Sequence, residues 1–166
     1  METHSQEISP FFGRSAVRAV FEKRLDAFRN GFRQNVGILS PPGLGKTSLA
    51  RFFLRKVSGT EIIPIFIPLA ESDSFHSFSR RWMSGIIAGC HQAIFPSESQ
   101  SVRTCVRRLK TKIPLTIQKM GEIKKLVSHR RDEQAYRELL HLTAALHQES
   151  SQKIVVVLDD FDRLSG

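Results

Sequence analysis

The chain has 166 residues, 40% hydrophobic and 25% charged, which is the size and balance of one soluble globular domain able to bury a core. No apolar run approaches the roughly 20 residues of a membrane helix, and the start, "METHSQEISPFFGRS", shows no basic region followed by an apolar stretch, so neither a membrane span nor a signal peptide is expected. The formal net charge is +9, and residues 101–131 alone hold ten basic residues against one acid, Glu122, leaving fifteen of each sign elsewhere.

Along the chain, Val17, Val20, Phe21, Leu25 and Phe28 recur at the three-and-four spacing of a helix over residues 14–30. "NVGILS" is a short apolar run stopped by Pro41, Pro42 and Gly43, and predicts a buried strand at Asn35 to Leu39. Leu49, Phe52, Phe53 and Val57 place a helix over Lys46 to Val57. "EIIPIFIPLAE" predicts a second strand, and its Pro64, which has no N–H to donate, argues for a sheet edge. Phe75, Phe78, Trp82, Met83, Ile86 and Ile87 mark the next helix. A basic helical segment covers 96–131, where Pro96 and Pro114 bracket one stretch and Leu115 to Val127 predict another helix. Asp132 is the expected N-cap of a helix through Tyr136, Leu139, Leu140, Thr143 and Leu146. Ile154 to Leu158 are five successive apolar residues, the pattern of a central parallel strand covered on both faces. Strands alternating with helices give an α/β fold with a mostly parallel sheet.

Two stretches carry chemistry. "SPPGLGKT", Ser40 to Thr47, follows the phosphate-loop pattern G-x-x-x-x-G-K-[ST] with Ser40 in place of the first glycine. Gly43 and Gly45 permit torsions that a side chain forbids, so the loop amides converge on anionic oxygens. The following helix adds its positive end, Lys46 reaches the β- and γ-phosphates, and Thr47 offers a hydroxyl to Mg²⁺. Ser40 fits this turn if its φ is not positive. The second stretch is "IVVVLDDFDRL", where an apolar strand delivers Asp159 and Asp160 at its C-terminal end. Asp159 is the expected partner of the metal or its water, Asp160 the residue that orients the attacking water, and Asp162 a cap or salt-bridge partner.

Together these stretches resemble the Walker A (40–47) and Walker B (154–160) motifs of the AAA+ and STAND P-loop ATPases. The resemblance implies a three-layer P-loop NTPase fold, ATP and Mg²⁺ as cofactors, nucleotide contacts from Ser40, Pro41, Pro42, Gly43, Leu44, Gly45, Lys46, Thr47 and Ser48, and catalytic roles for Lys46 and Asp160. "FFGRSAVRAVFEKRL" is similar to the short motif before the first helix of these families, which lies near the adenine; Phe12, Gly13 and Arg14 are therefore adenine-side candidates. AAA+ enzymes usually carry aspartate then glutamate where this chain has Asp159-Asp160, and STAND ATPases often carry two aspartates. The sensor strands, arginine finger and lid of the family are expected after Gly166, so the resemblance implies a partial module, 1–166, incomplete at its C-terminus and without turnover by itself. A homo-oligomer or a partner chain completing the sheet is then expected.

Three functions remain open at this level: an ATP-driven remodeller of nucleic acid or protein, a nucleotide-dependent signalling switch with little turnover, and a truncated remnant without activity. ATP is favoured over GTP because no Asn-Lys-x-Asp segment is present. The basic segment points to nucleic acid, an acidic protein face or phosphate, or else to solvated helix faces. Cys90 and Cys105 suit a reducing cytoplasm and two buried thiols. The six histidines form no His-x-x-x-His pair, no G-x-S-x-G elbow occurs, and Trp82 and Phe78 read as core.

Overall fold

The computed structural model describes residues 15–57, 61–70, 74–95 and 101–161. The chain divides into two compact units, Met1–Leu49 and Ala50–Gly166.

In the first unit, α1 (Ser15–Arg29) is the expected helix. Phe21, Leu25 and Phe28 are half-buried along one stripe, while Val17 and Val20 are exposed. The helix stops at Gly31, whose φ of 91° only glycine adopts freely. Phe32 N–H bonds back to the Ala27 carbonyl and Gly31 N–H to that of Phe28, both at 3.0 Å, which satisfies two end carbonyls. The strand expected at Asn35 to Leu39 does not form: residues 32–41 carry no regular structure, and Leu39 is 98% exposed. An apolar run becomes a strand only when a neighbour takes its N–H and C=O groups, and no described segment pairs with this one.

Helix α2 (Lys46–Val57) follows with the expected bounds and spans the boundary between the units. In the second unit, β1 (Ile62–Pro68) is followed by α3 (Phe75–Ile94), α4 (Val102–Leu109), α5 (Pro114–Ser128) and α6 (Asp132–Ser150), and β2 (Lys153–Asp159) closes the series. The architecture is a mostly helical α/β fold with a two-stranded parallel sheet, β1 beside β2, in register Ile63 to Ile154 and Ile67 to Leu158. Ile63, Ile65 and Ile67, with the half-buried Ile154, Val156 and Leu158, meet α3 to α6 in one apolar core.

The ladder explains how β1 tolerates two prolines. It is closed at one end by Lys153 N–H to the Glu61 carbonyl (3.0 Å) and at the other by Leu69 N–H to the Asp159 carbonyl (3.1 Å). Odd-numbered positions of β1 therefore face β2, and Pro64 and Pro68 fall on the phase that faces away, where no donor is required. Against that outer edge α3 places Gly85 and Gly89. A Cβ on Gly89 would sit 2.4 Å from the Pro64 carbonyl oxygen, and one on Gly85 would sit 2.9 Å from Ile67 Cγ1. Glycine at both positions lets the helix cover the strand edge.

Two expectations are corrected here. β2 is not a strand covered on both faces: Lys153 to Leu158 are all half-buried, and among the described residues β2 pairs with β1 alone. Asp132 is not the N-cap of α6; Arg131 holds that position without a side-chain bond, and Asp132 is already helical. Its carboxylate still lies in the first turn, favourable to the positive end of the helix. The N-cap of α5, Ile113, likewise offers no side-chain oxygen. Glu149 of α6 supplies one instead, accepting from Leu115 N–H (2.8 Å), Thr116 N–H (2.9 Å) and the Thr116 hydroxyl (2.8 Å).

Candidate functional site

The loop Ser40 to Thr47 joins an extended segment to the first turn of α2, where Leu49 N–H bonds the Gly45 carbonyl at 3.0 Å. Gly43 and Gly45 have φ of 79° and 75°, both in the left-handed region. A Cβ at either position would meet no atom within 4 Å, so the demand for glycine is torsional and not one of space. Ser40, standing where the pattern has its first glycine, is not among the residues with positive φ, which is the condition under which serine fits that turn. The Lys46 ammonium donates to the Ser40 carbonyl at 2.7 Å and the Pro41 carbonyl at 3.4 Å, bridging back across the loop. Its charge is thereby held over the start of the loop. Pro41, Pro42, Gly43, Leu44 and Ser48 are exposed, while Gly45, Lys46 and Thr47 are half-buried.

In the second unit, β2 ends on Asp159, which is 8% exposed and whose carbonyl accepts the Leu69 N–H. Asp160 follows with φ 56°, so the chain leaves the strand direction directly after Asp159. Aspartate tolerates this region better than most residues, and a left-handed aspartate directly after the strand is a departure that sequence does not announce. Asp162, Phe12, Gly13 and Arg14 lie outside the described residues.

The basic segment resolves into residues with different surroundings. Arg103, Arg107, Lys110, Lys112, Lys124, Lys125, Arg130 and Arg131 are exposed. Arg108 is half-buried with its guanidinium 4.9 Å from the centre of the Phe95 ring. Lys119 pairs with Glu138 of α6 at 3.7 Å. The partner ring of Arg108, the loop carbonyls under Lys46 and the Glu149 cap were all invisible to sequence reasoning, because each joins residues whose spacing carries no periodic signal.

A family model described as an AAA ATPase domain matches residues 10–166. The chain belongs to this family. The match supports a nucleotide-binding P-loop ATPase module of the AAA+ type. No curated protein and no solved structure matches the chain. No described helix of this AAA ATPase domain is long and apolar enough to cross a membrane.

Proposed function

We propose that this AAA ATPase domain binds Mg-ATP through Ser40 to Ser48 and, as a complete module of three-layer P-loop form, couples hydrolysis to remodelling of a nucleic-acid or protein target. The observation that carries the reading is the loop itself: two left-handed glycines flank Leu44, and Lys46 holds its ammonium on the loop's own carbonyls. Oxyanions of a triphosphate would displace those two carbonyl contacts and take the charge of Lys46 instead, a charge-assisted bond of about 2 kcal/mol or more. The loop amides and the positive end of α2 complete an anion cradle. Thr47 would offer a hydroxyl and Asp159 a carboxylate, each a hard oxygen donor of the kind that Mg²⁺ takes. When bound, the metal neutralises charge developing on the transferred phosphoryl group. Asp160 would orient water, and Phe12, Gly13 and Arg14, outside the described residues, remain the adenine-side candidates. Two buried thiols outside any disulfide, Cys90 and Cys105, support a reducing cytoplasm as the setting.

A second reading, a nucleotide-dependent switch with little turnover, is favoured by Asp160. Its carboxylate is short, and its left-handed backbone fixes where that carboxylate starts. Calorimetry with Lys46→Ala tests the cradle: ATP affinity should fall at least tenfold, about 1.4 kcal/mol, and unchanged affinity removes the assignment. Asp160→Asn separates the two readings. A remodeller loses its hydrolysis and keeps its ATP affinity, whereas a switch has little turnover to lose.

A further inference from the structure

We propose that the outer face of α4, together with Lys112, binds the phosphodiester backbone of a nucleic acid. This names the target that the ATPase reading leaves open, and rests on that reading only for what the binding is coupled to. Arg103, Arg107 and Lys110 are all exposed and, at 3.6 residues per turn, fall within about 60° of arc and along about 10 Å of helix. The opposite side of α4 carries Cys105 and Leu109, both buried in the core, so the basic line is held outward by packing. Lys112 extends it into the turn before α5. None of these four forms an ion pair with a described residue, in contrast to Lys119 with Glu138 and Arg137 with Glu133.

The face excludes two other partners. A protein interface needs a desolvated apolar or aromatic centre, and the described exposed side chains over 101–112 are Ser101, Arg103, Arg107, Lys110, Thr111 and Lys112. A membrane-surface helix buries an apolar face in lipid, and the apolar face of α4 is already spent in the protein core. A line of unpaired cations without apolar neighbours matches a row of phosphates, whose recognition is electrostatic and indifferent to base sequence.

The test is fluorescence anisotropy of the full chain, without nucleotide, on fluorescein-labelled 30-mer single-stranded DNA, duplex DNA and an RNA hairpin across a sodium chloride series. Binding should weaken steeply with salt. The variant Arg103→Gln/Arg107→Gln/Lys110→Gln/Lys112→Gln should lose at least tenfold in affinity and flatten the salt slope by about 3 on single strands and about 3.6 on duplex, at roughly 0.7 and 0.9 per phosphate contact. Removing four charges elsewhere in the segment, with Lys124→Gln/Lys125→Gln/Arg130→Gln/Arg131→Gln, should lose less than threefold. Charge-keeping Arg103→Lys/Arg107→Lys should retain binding, and it keeps the test decisive if the quadruple variant misfolds. Absence of binding at low salt overturns the proposal, as do equal losses in both quadruple variants or equally tight binding of a polyglutamate peptide. The α4 variant should keep the ATP affinity of the parent. If neither protein binds ATP, the ATPase reading falls while the nucleic-acid result stands.

Discussion

Cys90 is fully buried on α3, and its thiol is pushed from an ordinary value of 9.0 up to about 12, by burial first and by the negative charge of Glu149 second. The unfolded chain releases this proton near pH 9, while the fold holds it until about 12. Stability from this group is therefore complete below pH 9 and is lost as pH rises toward 12, at up to about 1.4 kcal/mol per pH unit. Urea unfolding of the parent and of Cys90→Ala between pH 8.5 and 10.5 reads the difference, since the other titrating groups are common to both. The parent should lose stability faster; parallel curves would mean that the thiol ionises in the fold as easily as outside it. The same burial makes the thiol inert to alkylating reagents in the native state. The buried nitrogens Trp82 Nε1 and His91 Nε2 have no hydrogen-bond partner among the described residues, an energetic cost that the surrounding core offsets.

Helix α5 begins without a capping side chain of its own, and Glu149 fills the role from 33 residues away. Thr116 is wholly buried, so its N–H and hydroxyl have no water to turn to if that carboxylate is lost. Glu149→Gln should cost about 1–2 kcal/mol, with the urea midpoint falling at constant slope. Glu133→Gln, which breaks an exposed pair with Arg137 four residues on, should cost no more than about 0.5 kcal/mol. Equal effects would mean that the buried cap is worth no more than a surface ion pair. The α3 glycines show the same dependence on a neighbour: Gly85 and Gly89 are required by β1, not by the helix that contains them.

At the scale of the molecule, the sheet has one closed edge and one that is open among the described residues. Prolines and α3 close the outer side of β1, whereas the outward groups of Ile154, Val156 and Leu158 on β2 pair with no described strand. Two strands in isolation are marginal, and the helical core carries the fold. Amide hydrogen exchange should show alternation along β2, with Val155, Val157 and Asp159 protected and Ile154, Val156 and Leu158 faster. Uniform protection would mean that another strand lies along that edge, and dependence on protein concentration would make it a second copy.

The sequence by itself determined whatever is decided within a few residues. Helical spacing placed α1, α2, α3, α5 and α6; the glycine pair and lysine placed the candidate cradle; Pro64 foretold an edge; and two cysteines far apart in sequence, Cys90 and Cys105, foretold two buried thiols. Torsional demands and amphipathic periods are local, so they survive without knowledge of the fold. Tertiary structure alone decided which apolar runs become strands. "NVGIL" and "IVVVL" are alike in composition, yet among the described residues only the second meets a neighbour, β1, that takes its backbone groups. It also decided that Arg108 turns to Phe95 and Lys119 to Glu138 while Arg103, Arg107 and Lys110 stay in water, and that Glu149 caps a helix far away in sequence. Backbone pairing, capping across elements and the sorting of like charges are set by which surfaces meet, and one chain read residue by residue holds no record of those meetings.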